Sequence, residues 1–258
     1  MHSATLGGLI KDYRLQKRLS QQEVSLSIGW KDTSRLSKIE QGRVSKPKRA
    51  TAERIIKALG LKDQEKGEFL LAGGYLPADQ EIKNIIKEVG GKIDDWPYPA
   101  YIMDFSWRLL YTNDLNLLIF NLPLSWKKKV LELKPNVLSF AFLPKDQFPA
   151  EVEKGEDRQN LKPFAVALIA AFKSENLKFQ QESWYKKIVK DLMGFDEFRK
   201  LWPKIGVKDY PKKLLDYEYK KITTFKGGKR VSHEFHILTA KVINDPRFQL
   251  MFYFPAGK

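Results

Sequence analysis

Cysteine is absent from the 258 residues. That excludes disulfides, thiolate nucleophiles and Cys-held zinc or iron–sulfur centres, and it fits a reducing compartment. Histidine is nearly absent too, with only His2, His233 and His236. The last two stand in HEFH, but side chains three apart on a strand point to opposite faces, and the spacing is not the i, i+4 of a zinc-binding helix. No metal site, no cofactor and no catalytic role is therefore expected. Glycine pairs at Gly73-Gly74 and Gly227-Gly228 lack the strand–loop–helix surroundings of a phosphate cradle and read as turns. Long apolar runs are missing as well. The longest, Phe164 to Phe172, is about half of the ~20 residues that cross a bilayer, and the N-terminus has no charged region followed by an apolar one. A cytoplasmic protein with no membrane partner is the expectation.

Acidic residues are the minority, 31 Asp+Glu against 46 Lys+Arg, for a formal net charge of +15. The excess is uneven: residues 1–62 hold 14 basic against 5 acidic residues, a net of +9, and the longer remainder carries +6. A balance this basic favours a polyanionic partner. With 43% hydrophobic and 12% aromatic residues the chain can build real cores, and its length suits one large or two ordinary domains.

What is present sits first in the stretch Leu19 to Gly42. Ser20 and Glu23 form a capping box, Val24 and Ile28 give an apolar stripe, and Gly29 supplies a stop. Asp32 or Thr33 can cap a second short helix with Leu36 and Ile39 inward. Thr33, Ser34, Arg35, Ser37, Lys38 and Gln41 fall off that stripe. A helix that enters the major groove of double-stranded DNA needs such a face, because base-edge donors and acceptors must be met by side chains of this kind. Residues 5–17 add a helix with Leu6, Ile10 and Tyr13 inward, residues 50–59 another with Ala52, Ile55, Ile56 and Leu59, and residues 63–72 a third. Between Gly42 and the helix at 50 the segment RVSKPKRAT is broken by Pro47. It reads either as a solvated loop or as a loop that grips phosphates on leaving the groove.

Leu6, Ile10, Arg14, Leu19, Ser20, Gln21, Glu23, Gly29, Ser37, Ile39, Glu40 and Gly42 stand where Cro/C1-type (XRE) repressors have their characteristic residues. Residues 6–61 thus resemble that family's all-α helix-turn-helix DNA-binding domain, except that the turn Gly29-Trp30-Lys31-Asp32 looks one residue longer than its commonest form. The resemblance implies base contacts from Gln21, Thr33, Ser34, Ser37 and Lys38, and a structural pair of Arg14 with Glu40. Phosphate contacts are expected from Gln41, Arg43, Lys46 and Lys48.

Past GGYLPAD at 73–79 the chain changes character. A linker helix is expected over 79–89, broken at Gly90-Gly91. Residues 100–104 and 107–112 read as strands, followed by a helix capped by Asn113. The middle, 125–205, reads as helical, and 214–225, 230–243 and 247–254 as antiparallel strands. This order is that of a PAS-like domain, α+β with a mixed, mostly antiparallel sheet. Pro99, Asp104, Trp107, Leu110, Asn113, Phe198, Leu201, Trp202 and Val207 add a resemblance to the MmyB family of transcriptional regulators, whose C-terminal ligand-binding domain is PAS-like. The expected division is 1–75 for DNA binding, 76–95 for the linker helix and 96–258 for the PAS-like domain. Tyr101, Met103, Leu118, Phe140, Phe235 and Phe252 suit two arrangements, a solid core or the lining of a pocket for a small apolar ligand such as a fatty acid. A homodimeric, ligand-sensing regulator is the first functional reading. A DNA-localised adaptor that recruits a protein through its second domain is the other.

Overall fold

The structure, a computed structural model, describes residues 5–119, 122–142, 161–209, 219–226 and 229–256, with the backbone alone at 161–164, 219–226 and 229–233. It divides into two compact units. The first is Met1–Pro77 together with Lys241–Arg247, and the second is Ala78–Ala240 with Phe248–Lys258.

Five helices build the first unit: α1 (Leu6–Gln16), α2 (Gln21–Ser27), α3 (Ser34–Glu40), α4 (Arg49–Ala58) and α5 (Asp63–Ala72). Each is short, and helices of this length hold only when an apolar stripe is buried against neighbours. Leu6, Ile10 and Tyr13 of α1, Val24 of α2, Leu36 and Ile39 of α3, Ile55 of α4 and Phe69 and Leu70 of α5 meet in one core. The capping box forms as the sequence predicts: the Ser20 hydroxyl accepts from Glu23 N at 3.1 Å, and Ser20 N donates to Glu23 Oε2 at 2.6 Å. Gly29, at φ 84°, takes the chain out of α2 through a left-handed conformation that side-chain-bearing residues rarely adopt.

The second unit is a five-stranded sheet of order β2-β1-β5-β4-β3, built from β1 (Ala100–Asp104), β2 (Leu109–Thr112), β3 (Tyr219–Lys226), β4 (Lys229–Lys241) and β5 (Phe248–Pro255). Its β1–β2, β1–β5 and β3–β4 pairings are antiparallel. Helices α6 (Asp79–Asp94), α7 (Asp114–Ile119), α8 (Lys127–Leu133), α9 (Leu161–Glu175), α10 (Ser183–Leu192) and α11 (Asp196–Leu201) accompany it. Sheet plus inserted helices make an α+β domain, as expected.

Three details differ from the sequence expectation. The helix expected to stop at Gly90-Gly91 runs on to Asp94: a glycine costs a helix interior about 1 kcal/mol, and burial of Ile93 beyond the pair offsets it. Helix α6 packs along β1 and β2, with Ile82, Ile85 and Ile93 buried, so it is a layer of the second unit rather than a free linker. Strand β2 starts at Leu109 instead of 107, since Asp104 organises a turn there. Its carboxylate accepts from Ser106 N, Ser106 Oγ and Arg108 N, and Trp107 sits at φ 66°. Within the expected helical middle, 125–205, α10 and α11 are separated at Met193–Phe195.

The expected cap at Asn113 is present and does more than cap. Its Oδ1 accepts from Asn116 N at 3.0 Å and Ala100 N at 3.1 Å, while Nδ2 donates to Tyr98 O at 2.7 Å and Ile93 O at 3.2 Å. One side chain thereby ties the end of α6, the start of β1 and the first turn of α7.

Candidate nucleic-acid interface

The recognition face is set by what α3 buries. Leu36 and Ile39 are inside, which turns Ser34, Arg35 and Lys38 outward into solvent and leaves Thr33 and Ser37 half-exposed. The Asp32 carboxylate, not the Thr33 hydroxyl, satisfies the helix start, accepting from Ser34 N at 2.8 Å. That bond and the nearby cations Arg35 and Lys38 hold the Asp32 carboxyl below the usual carboxylate range. Thr33 Oγ1 makes no capping bond. At the far end Gln41 Nε2 donates to Ser37 Oγ at 2.9 Å, so these two polar groups lie side by side on the exposed surface.

Behind that face lies a charged knot. Arg14 Nε donates to Glu40 Oε1 at 2.7 Å and Nη2 to Glu40 Oε2 at 2.8 Å, while Nη1 reaches Leu19 O at 3.0 Å. The pair's side chains are 9% and 3% exposed. Gln21 Nε2 donates to the same Glu40 carboxylate at 2.8 Å. Hydrogen bonding to Glu40 raises the Arg14 pKa against the opposing effect of burial. A bidentate pair so placed fixes the first turn of α2 and the last turn of α3 to α1, and it orients the Gln21 amide at the edge of the face.

In the loop after α3, Arg43 and Lys48 are exposed. Lys46, expected to point at phosphates with them, is turned inward: its Nζ donates to Gly74 O at 3.0 Å and lies 4.9 Å from the centre of the Tyr75 ring. The reason is the Tyr75 hydroxyl, which donates to Pro47 O at 2.5 Å and draws the middle of the loop onto the ring. Arg35, which falls off the apolar stripe yet is not among the expected contacts, stands exposed on α3 beside Ser34.

The second unit distributes the expected pocket residues over four surroundings. Tyr101, Met103 and Phe235 join Met251 and Tyr253 in its core, where burial and the charge of Glu175 push the Tyr101 hydroxyl well above its ordinary pKa. Phe140 packs at the edge of that core, partly buried. Phe252 and Leu118 do not fit the expectation. Phe252 pairs with Ala100 on the opposite face of the sheet and meets the Trp96 ring at 5.1 Å, and Leu118 is 43% exposed. Alternation along β5 is the cause for Phe252, since neighbours 251 and 252 cannot face the same way. A cleft of about 320 Å³ opens elsewhere, lined by Asp94, Asn113, Asp114, Leu115 and Lys127. It is polar, with Lys127 Nζ 2.8 Å from Asp114 and 3.6 Å from Asp94.

Comparison with protein families matches residues 5–69 to a helix-turn-helix domain and residues 88–256 to the MmyB-like transcription regulator ligand binding domain. The chain belongs to the MmyB-like family of transcription regulators. Comparison with curated proteins gives no match. The helix-turn-helix of this MmyB-like regulator makes it a DNA-binding protein, and the sheet domain is its ligand-binding domain. Among the described residues no helix is long and apolar enough to cross a membrane.

Proposed function

We propose that this MmyB-like regulator reads a specific DNA sequence through Thr33, Ser34, Ser37 and Lys38, with Gln21 at the margin, and grips the backbone through Gln41, Arg43 and Lys48. The observation that carries the reading is the exposed polar and basic face of α3, held against its scaffold by the Arg14–Glu40 pair. Hydroxyls and an ammonium on such a face suit base edges, whereas the guanidinium and ammonium of the following loop suit phosphates. Lys46 belongs to the scaffold in this reading, because its ammonium already serves Gly74 O and the Tyr75 ring.

The second domain senses a small apolar ligand, and the protein acts as a homodimer that places two recognition helices on one duplex. Support comes from the aromatic core around Tyr101, Met103 and Phe235 and from the family of the domain. A ligand acts on DNA binding only if it favours one arrangement of the protein over another.

Selection of bound duplexes from a random pool by the full-length protein tests the DNA reading. Enrichment of a defined sequence with two related half-sites is the expected result, and recovery of an unenriched pool would refute it. Native mass spectrometry of the purified protein tests the sensing reading: a copurified apolar molecule is expected, and an unliganded species that also ignores added fatty acids would refute it.

A further inference from the structure

The chain enters the first unit twice. Strands β4 and β5 belong to the ligand-binding domain, yet the turn that joins them, Lys241–Arg247, is part of the same compact unit as the helix-turn-helix. Its seat is specific. Gly67 of α5 has no side chain where the turn lies, and a Cβ there would stand 2.8 Å from Asp245 Cα, 2.8 Å from Pro246 Cδ and 2.9 Å from Asn244 O. Arg247 is 1% exposed, held by Asp245 through Nε at 2.9 Å and Nη2 at 2.6 Å, and its Nη1 donates to Tyr75 O at 3.4 Å. A cation this deeply placed is stable only while its partners stay where they are.

Tyr75 continues the connection. Its carbonyl takes the Arg247 bond, its hydroxyl holds Pro47 O, and its ring lies against the ammonium of Lys46. Arg49 reaches past it to Leu76 O at 3.0 Å. Pro47 and Lys46 are the middle of the loop that follows α3, and that loop closes onto α3 through Val44 N, which donates to Lys38 O at 3.2 Å. Arg247, Tyr75, Pro47 and Val44 therefore form a physical series from the β4–β5 turn to the end of the recognition helix.

We propose that the Lys241–Arg247 turn is a clasp that sets the loop after α3 through Tyr75, so that a shift of β4 and β5 changes the grip of the protein on DNA. The proposal rests on the DNA-binding reading above. Strands β4 and β5 carry Phe235, Met251 and Tyr253 in the core of the ligand-binding domain, so an occupant that spreads that core displaces the two strands on which the clasp is mounted. A coupling claim needs an element that both sites bias, and the turn is that element.

Two full-length variants test it. Gly67→Ala favours the α5 helix intrinsically while its new methyl group pushes the turn off its seat, and Arg247→Lys keeps the charge but loses the fork that grips Asp245. Hydrogen exchange at Val44 reports the loop, exchange at Leu19, whose N–H donates to Arg14 O, reports the scaffold, and affinity for a random-sequence duplex at low salt reports the grip. Both variants are expected to speed Val44 exchange and weaken duplex binding by roughly fivefold or more, with Leu19 protected as in wild type. Unchanged Val44 exchange, faster exchange with unchanged affinity, or parallel loss of Leu19 protection would each overturn the proposal, the last by showing a scaffold element. Failure of the wild type to bind any duplex would sink the DNA reading instead, while exchange at Val44 and Leu19 would still decide whether the turn holds the loop.

Discussion

The two units solve one problem, holding a polar device on an apolar core, with different kinds of side chain. In the helix-turn-helix unit the fixing element is ionic, a guanidinium against a carboxylate, and it ties three short helices that local propensity alone would not hold. In the sheet domain two of the fixing elements are different in kind, an amide and a carboxylate that pairs locally. Asn113 gathers α6, β1 and α7 through amide bonds, and Asp104 closes a turn over four residues of its own strand pair. The contrast teaches that a buried charge pair and a buried amide can each tie several elements together, the one through side chains and the other through backbone groups.

That comparison breaks most visibly at Arg14. Arg14→Ala strands the buried Glu40 carboxylate and is expected to cost about 3–5 kcal/mol, seen in urea unfolding of the full chain as early loss of the helix-turn-helix unit. A loss below about 1 kcal/mol would mean that the knot is ornamental. Asn113→Ala probes the other unit. Each backbone group it leaves unsatisfied costs roughly 1–3 kcal/mol, and the loss should fall on the sheet domain alone; destabilisation of both units together would erase the distinction between them.

The sequence made the first unit legible almost to the residue, because helix caps, the 3.6-residue stripe and the Arg14–Glu40 spacing are local or nearly local signals. Even there Lys46 escaped, since its inward turn depends on Tyr75, some thirty residues away, and no local pattern encodes that contact. The second unit was legible in element order but not in which face each aromatic takes. Phe252 was misplaced because a strand with apolar residues on both faces gives no alternation to read. The continuation of α6 across Gly90-Gly91 was hidden for a related reason: two glycines signal a stop locally, and only the burial of Ile93 beyond them shows why the helix continues.

Smaller effects sharpen the picture at the DNA surface. Each of Arg43→Ala and Lys48→Ala should flatten the dependence of log affinity on log salt by about 0.9 per half-site between about 50 and 200 mM, with specific and nonspecific binding falling in parallel. Lys46→Ala should leave that slope unchanged and lower thermal stability. If all three behave alike, the inward placement of Lys46 has no bearing on its role. The smallest effect concerns acid. The Asp32 carboxyl titrates below its ordinary range because the folded chain favours its charged form, so its contribution to stability is complete above the ordinary carboxylate pKa and is lost as pH falls through the lowered value. An NMR titration should find the Asp32 pKa below the usual value of about 3.9 in wild type, and an ordinary value would remove the cap from α3.

The assignment of α3 as the reading element is tested most directly by a base-substitution scan of the selected duplex, measured for wild type and Lys38→Ala. Each good base contact is worth about 1–3 kcal/mol of discrimination. The account predicts that Lys38→Ala loses preference at one base-pair position in each half-site and keeps the rest. A uniform fall in affinity across every duplex would contradict it and make Lys38 a backbone contact.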